Sequence, residues 1–137
     1  MINAEKIQYL SRYSKLHRAV ARKIAQVDQL RSSIGRITPS YSPRINGGPI
    51  HKSRDHDTID KIIDLQRELI GDIDQAIYLY KETSQVISQL DDHRLQLLLE
   101  LRYISGKTWN EVAVDLEVCS KTVFNLHSKA LSQVVAP

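Results

Sequence analysis

Cysteine is almost missing from this 137-residue chain, and the lone Cys119 excludes an intramolecular disulfide framework and a cysteine-rich zinc site. That scarcity fits a reducing compartment. Long apolar runs are missing too: none approaches the roughly 20 residues that span a bilayer. The stretch Met1-Ile2-Asn3-Ala4-Glu5-Lys6 lacks the charged-then-apolar layout of a secretory signal. The expectation is a soluble cytoplasmic protein with no membrane partner. Proline and glycine are absent from Ala4 to Ile34, whereas Pro39, Pro43, Gly47, Gly48 and Pro49 crowd one short stretch. No segment alternates like a strand and no internal repeat is present, so the expected fold class is all-α.

Groups that do chemistry are equally sparse. Ser105-Gly106-Lys107-Thr108 imitates the tail of a phosphate-binding loop, but the position that needs the first glycine is Leu101 and no strand precedes it. His17, His51, His56, His93 and His127 share no metal-ligand spacing on one helix and read as surface or seam residues. His51 and His56 beside Asp55 and Asp57 make a metal site conceivable, yet a charged connector is the plainer reading. Cys119, in a turn with no histidine near it in sequence, reads as a small semi-buried side chain and not a nucleophile. No paired carboxylates, triad or ligand cluster survives inspection, so neither an enzyme nor a cofactor nor a metal is expected.

What the chain does contain is helical periodicity and segregated charge. Ile7, Leu10, Tyr13, Leu16, Val20, Ile24, Val27, Leu30 and Ile34 recur at helical spacing, and Gly35 suits the residue after a helix end. A Pro/Gly/Ser loop over 36–54 follows. Asp57 and Thr58 open a second long helix, in which Ile59, Ile62, Gln66, Leu69, Ile73, Ala76, Tyr80, Thr83, Ile87 and Leu90 sustain a heptad seam widened by Ile63, Ile70 and Ile77. Residues 1–54 carry eleven Lys/Arg against two Asp/Glu, a net of +9; residues 55–92 carry three against ten, a net of −7; residues 93–137 carry five against four, a net of +1. A basic helix and an acidic helix can pair through an apolar seam, so residues 1–91 are expected to form a long antiparallel, coiled-coil-like hairpin. An intermolecular bundle, making a homo-oligomer through the long helices, is the rival arrangement. Asp91-Asp92 marks a break or a continuation into the apolar helix His93–Ile104, which Ser105-Gly106 ends.

Residues 92–137 read as a three-helix domain. Thr108 and Glu111 form a capping box; Val112, Ala113 and Leu116 share one face, and the helix should stop near Leu116. Ser120 offers a second N-cap. From it Val123, Leu126, Ala130 and Leu131 make an apolar face, with Lys121, Thr122, Asn125, Ser128 and Lys129 turned away. An apolar helix, a short turn and a second helix with a polar outer face describe a helix-turn-helix.

Leu97 to Tyr103, Thr108 to Ala113, Val118 to Val123 and Lys129-Ala130-Leu131 together resemble region 4 of the sigma-70 family, ungapped over Leu95–Leu131. The longer layout resembles small regulators encoded by temperate phages and prophages of Gram-positive bacteria. That resemblance implies a sequence-specific DNA-binding transcriptional regulator, with double-stranded DNA as partner and RNA polymerase as a second one. It places a recognition helix at Ser120–Val134 in the major groove. Ser120 would cap it near a phosphate. Lys121, Thr122, Phe124, Asn125 and Ser128 would face the groove, while Lys129 and Lys107 would lie toward the backbone. Nothing in the chain resembles the sigma region that melts the −10 element. Two rival readings stay open: a phage small terminase subunit, and a polymerase- or sigma-binding adaptor without DNA readout.

Overall fold

A computed structural model describes residues 3–34 and 48–135, apart from the side chains of residues 48–54. Five α-helices follow in order: α1 Asn3–Ser33, α2 Gly48–Ser88, α3 His93–Leu99, α4 Trp109–Leu116 and α5 Ser120–Gln133, with a π-helical turn, Glu100–Ile104, continuing α3. The described residues are all-helical with no strand. The expected C′ role of Gly35 and most of the expected 36–54 loop lie outside the described residues. The rest of that loop is a correction: α2 begins at Gly48, well ahead of Asp57. Pro49 is compatible with that start, because the first turn of a helix has no intrahelical use for the N–H that proline lacks.

The chain divides into two compact units, Arg18–Asp74 and a second made of Met1–His17 with Gln75–Pro137. In the first, the two helical segments run antiparallel. Lys23 Nζ lies 2.5 Å from Asp72 Oδ2 and 3.5 Å from Glu68 Oε2, while Val27, Ile62 and Leu69 form a buried cluster flanked by Val20, Leu30, Ile34 and Leu65. The seam differs from the heptad read in the sequence. Ile62 and Leu69 are buried, but Ile59 and Ile73 are exposed. Isoleucines line so wide an arc of α2 that α1 covers only one edge of it.

The second unit holds the larger core. Leu95, Leu98 and Leu99 of α3, Val112 and Ala113 of α4, and Val123, Ala130 and Leu131 of α5 bury against one another, joined by Leu10, Val86, Ile87 and Leu90 from the long helices. Polar bonds fix the joints. The Gln96 side-chain amide donates to the Ser88 and Leu90 carbonyls, closing the end of α2, and the Arg94 N–H donates to Asp92 Oδ1 at 2.8 Å, opening α3. Asp91-Asp92 is therefore a break. Lys6 Nζ donates to the Leu131 carbonyl at 2.8 Å, and Ser14 Oγ to that of Tyr103 at 2.8 Å.

The turn between α4 and α5 is a Schellman closure. The Glu117 N–H bonds to the Val114 carbonyl at 3.1 Å and the Val118 N–H to that of Ala113 at 3.0 Å, with Glu117 left-handed at φ 59°. Half-buried Val118 packs on the core as such a motif favours. Glycine normally fills that position, because a Cβ in the left-handed region costs about 1 kcal/mol. Glu117→Gly is thus expected to stabilise the protein by about 1 kcal/mol in urea unfolding, whereas Thr108→Ala, which removes the α4 cap, should destabilise it by about 1 kcal/mol. A destabilised Glu117→Gly protein would refute this account of the turn.

Candidate nucleic-acid interface

The outward face of α5 is set by what α5 buries. Val123, His127, Ala130 and Leu131 fall inside, and Val134, just past the helix end, continues the stripe of 123, 127 and 130. Ser120, Lys121, Phe124, Asn125, Ser128 and Lys129 are exposed, and Thr122 is half-buried. Seven of the eight residues singled out in the sequence therefore lie on one helix, and all but Thr122 are open to solvent. Ser120 does not cap it: the N-cap is Cys119, which makes no side-chain capping bond, and Ser120 is the first helical residue. The helix begins one residue earlier than a serine cap requires and ends at Gln133, one residue short of the expected Val134, which is its C-cap. Cys119 Sγ instead lies 3.1 Å from Thr122 Oγ1, and this contact holds the exposed thiol below the usual thiol range.

Lys107 precedes α4 and is tied locally. Its Nζ is 2.6 Å from Asp115 Oδ2, and this bond raises its pKa. Its carbonyl accepts from Arg102 Nη1 at 3.0 Å. The α4 cap is complete: the Glu111 N–H donates to Thr108 Oγ1 at 3.2 Å and the Thr108 N–H to Glu111 Oε1 at 3.0 Å. The bond from the Thr108 backbone is the main reason the Glu111 carboxyl titrates low.

Behind the polar face stands an aromatic cluster that the sequence reading missed. Tyr103 Oη lies 2.7 Å from His127 Nε2, in the core. The Trp109 ring meets His127 edge-on at 4.5 Å and Phe124 at 5.4 Å, and the Arg102 guanidinium lies 4.5 Å over Trp109. Burial, assisted by nearby Arg102, pulls His127 down to about 4, while burial pushes Tyr103 up to about 12. A neutral imidazole with its proton on Nδ1 accepts at Nε2 from the phenol, which suits both shifts. The signal was in the spacing: 123, 127, 130 and 134 form one stripe, and only the residue type suggested a surface histidine. Of the other histidines, the His51 side chain lies outside the described residues and His56 is exposed, as expected of a charged connector. Among the described residues no group of three or more His, Cys, Asp or Glu could hold a metal ion, and no helix is long and apolar enough to cross a membrane.

Among the described residues the protein is all-helical, and its C-terminal portion presents α4 with its complete capping box beside α5 with its largely polar outward side. A family model for a protein of unknown function, DUF1492, matches residues 36–134, and the chain belongs to this family. No curated protein and no solved structure matches the chain.

His127 makes stability depend on pH. Its folded pKa is depressed below the unfolded value near 6.5, so the unfolded chain binds the extra proton between about pH 6.5 and 4. Stability is full above pH 6.5 and falls through that window, by up to about 3 kcal/mol. Urea midpoints measured from pH 8 to 5 should decline, and His127→Gln should flatten the decline; an equally steep slope in the variant would sink the assignment.

Proposed function

We propose that the C-terminal portion is a helix-turn-helix DNA reader of sigma region 4 type, carried on a helical hairpin. In this reading the protein regulates transcription of phage or prophage genes and catalyses nothing. One observation carries this: α5 buries Val123, His127, Ala130 and Leu131 while leaving Lys121, Phe124, Asn125, Ser128 and Lys129 together on its open side. A helix held by neighbours on one side and polar on the other has the form that enters a major groove. Asn125 offers the donor and acceptor pair that reads an adenine edge, Phe124 an apolar surface for a thymine methyl, and Lys121 and Lys129 charges for phosphates.

The adaptor reading has its own support, because Leu97, Val114 and Phe124 leave apolar surface exposed on the same portion of the chain. Retention of RNA polymerase with no DNA shift would favour it.

A mobility-shift titration against the upstream region of the protein's own operon separates the two. Asn125→Ala and Lys121→Ala should each weaken binding about tenfold, the first mainly on the cognate sequence and the second on all sequences. Unchanged affinity in both would eliminate α5 as the reading helix. Asp115→Asn frees the Lys107 ammonium, so it should tighten binding and steepen its salt dependence by about one phosphate contact.

A further inference from the structure

The Arg18–Asp74 unit leaves one face of α2 uncovered. Ile59, Ile63, Ile70 and Ile73 are 41%, 41%, 66% and 41% exposed. With half-buried Gln66 they follow spacings of four, three, four and three, which is a heptad seam in its own right. By helical spacing this seam lies on the side of α2 away from Asp72 and Glu68, the two carboxylates that hold Lys23. Placing Ile63 and Ile70 at a, the flanking e positions are Asp60, Arg67 and Asp74, alternating in sign. The opposite flank, at g, holds Ile62 and Leu69, already buried against α1.

We propose that a second copy of this chain covers this face, with the two α2 helices antiparallel about a two-fold axis that passes between Ile63 and Gln66, so that Ile59 of one copy meets Ile70 of the other and the seam stays within this unit. Three features select this arrangement. A parallel pair sets e against g, and g holds only buried apolar residues, so the charges would have no counterpart. An antiparallel pair sets e against e. With Ile63 opposite Gln66 of the second copy, Arg67 faces Asp60 of the second copy, and the symmetry repeats the contact. A slip of one heptad sets Arg67 against Arg67; a slip of two brings Arg67 to Asp74 but sets Ile63 and Ile59 against Tyr80 and Ser84, outside this face. Among the described residues neither Arg67 nor Asp60 has an ion-pair partner within the chain. Two such helix pairs make a four-helix layer, the usual way for amphipathic hairpins to bury a second face. This inference is independent of DNA binding.

Sedimentation equilibrium of the full chain tests it. The wild type should sediment as two copies. Ile70→Lys, at a site open in the single chain, should keep its circular dichroism and dissociate at least about 100-fold more readily. Arg67→Asp and Asp60→Arg should each weaken self-association about tenfold, yet an equimolar mixture of the two should pair like the wild type, since each then supplies the charge the other lacks. A single-chain mass at all concentrations overturns the proposal, as does a mass above two copies. A dimer indifferent to Ile70→Lys, or charge variants that fail to complement each other, overturns it equally.

Discussion

The rotational setting of α5 about its own axis is the constraint on which the candidate interface depends. Each residue advances a helix by about 100°, so burying Val123, Ala130 and Leu131 leaves no freedom over which side chains face water. Ala130 has no exposed surface, and its small side chain lets α5 share one core with Leu95, Leu98 and Leu99 of α3. His127 adds direction to that packing. A hydrocarbon in its place could slide along the helix axis, whereas a 2.7 Å bond to Tyr103 holds one register. The polar surface of α5 is thus determined by apolar and aromatic groups on its reverse.

Charge follows a different logic from packing. The cations near the proposed reader are few, and Lys107 is held by Asp115. The basic excess lies on the N-terminal part of the chain, where several cations are occupied. Lys6 bonds a carbonyl of α5, Arg12 sits 3.2 Å from Glu82 and 4.2 Å over the Tyr9 ring, and Lys23 bridges Asp72 and Glu68. Exposed ion pairs contribute little stability, so these contacts choose which surfaces meet more than they strengthen the meeting. A reader with little net charge gains little from phosphates, which favours groups that read base edges.

Much of this was legible in the sequence where the determinant is local. The Thr108–Glu111 box and the end of α4 at Leu116 needed only neighbouring residues, and the outward set on α5 needed only the helical period. Four features were not legible. Gly48-Pro49 reads as a breaker by composition, although proline is tolerated in a first turn. The seam of α2 could not be chosen from its periodicity, because isoleucines occur on both of its edges and the choice belongs to α1. Ser120 looks like a better cap than Cys119, but the Glu117 closure sets where the next helix begins. His127 was hidden by its chemistry: a titratable side chain standing at a core position, made tolerable by Tyr103 and Trp109.

The unit that holds Leu10 in the same core as Leu131 brings together residues about 120 apart in the chain. During synthesis at roughly 5–20 residues per second, the start of α1 leaves the ribosome roughly 6–24 s before α5. For that interval Leu10 and Tyr9 have no core to enter, while Arg18–Asp74 can already close on itself. The nascent protein therefore passes through a stage in which one unit is complete and an apolar stripe at its beginning still waits for its partners. Chaperone demand should be greatest at that stage, before any of α5 exists.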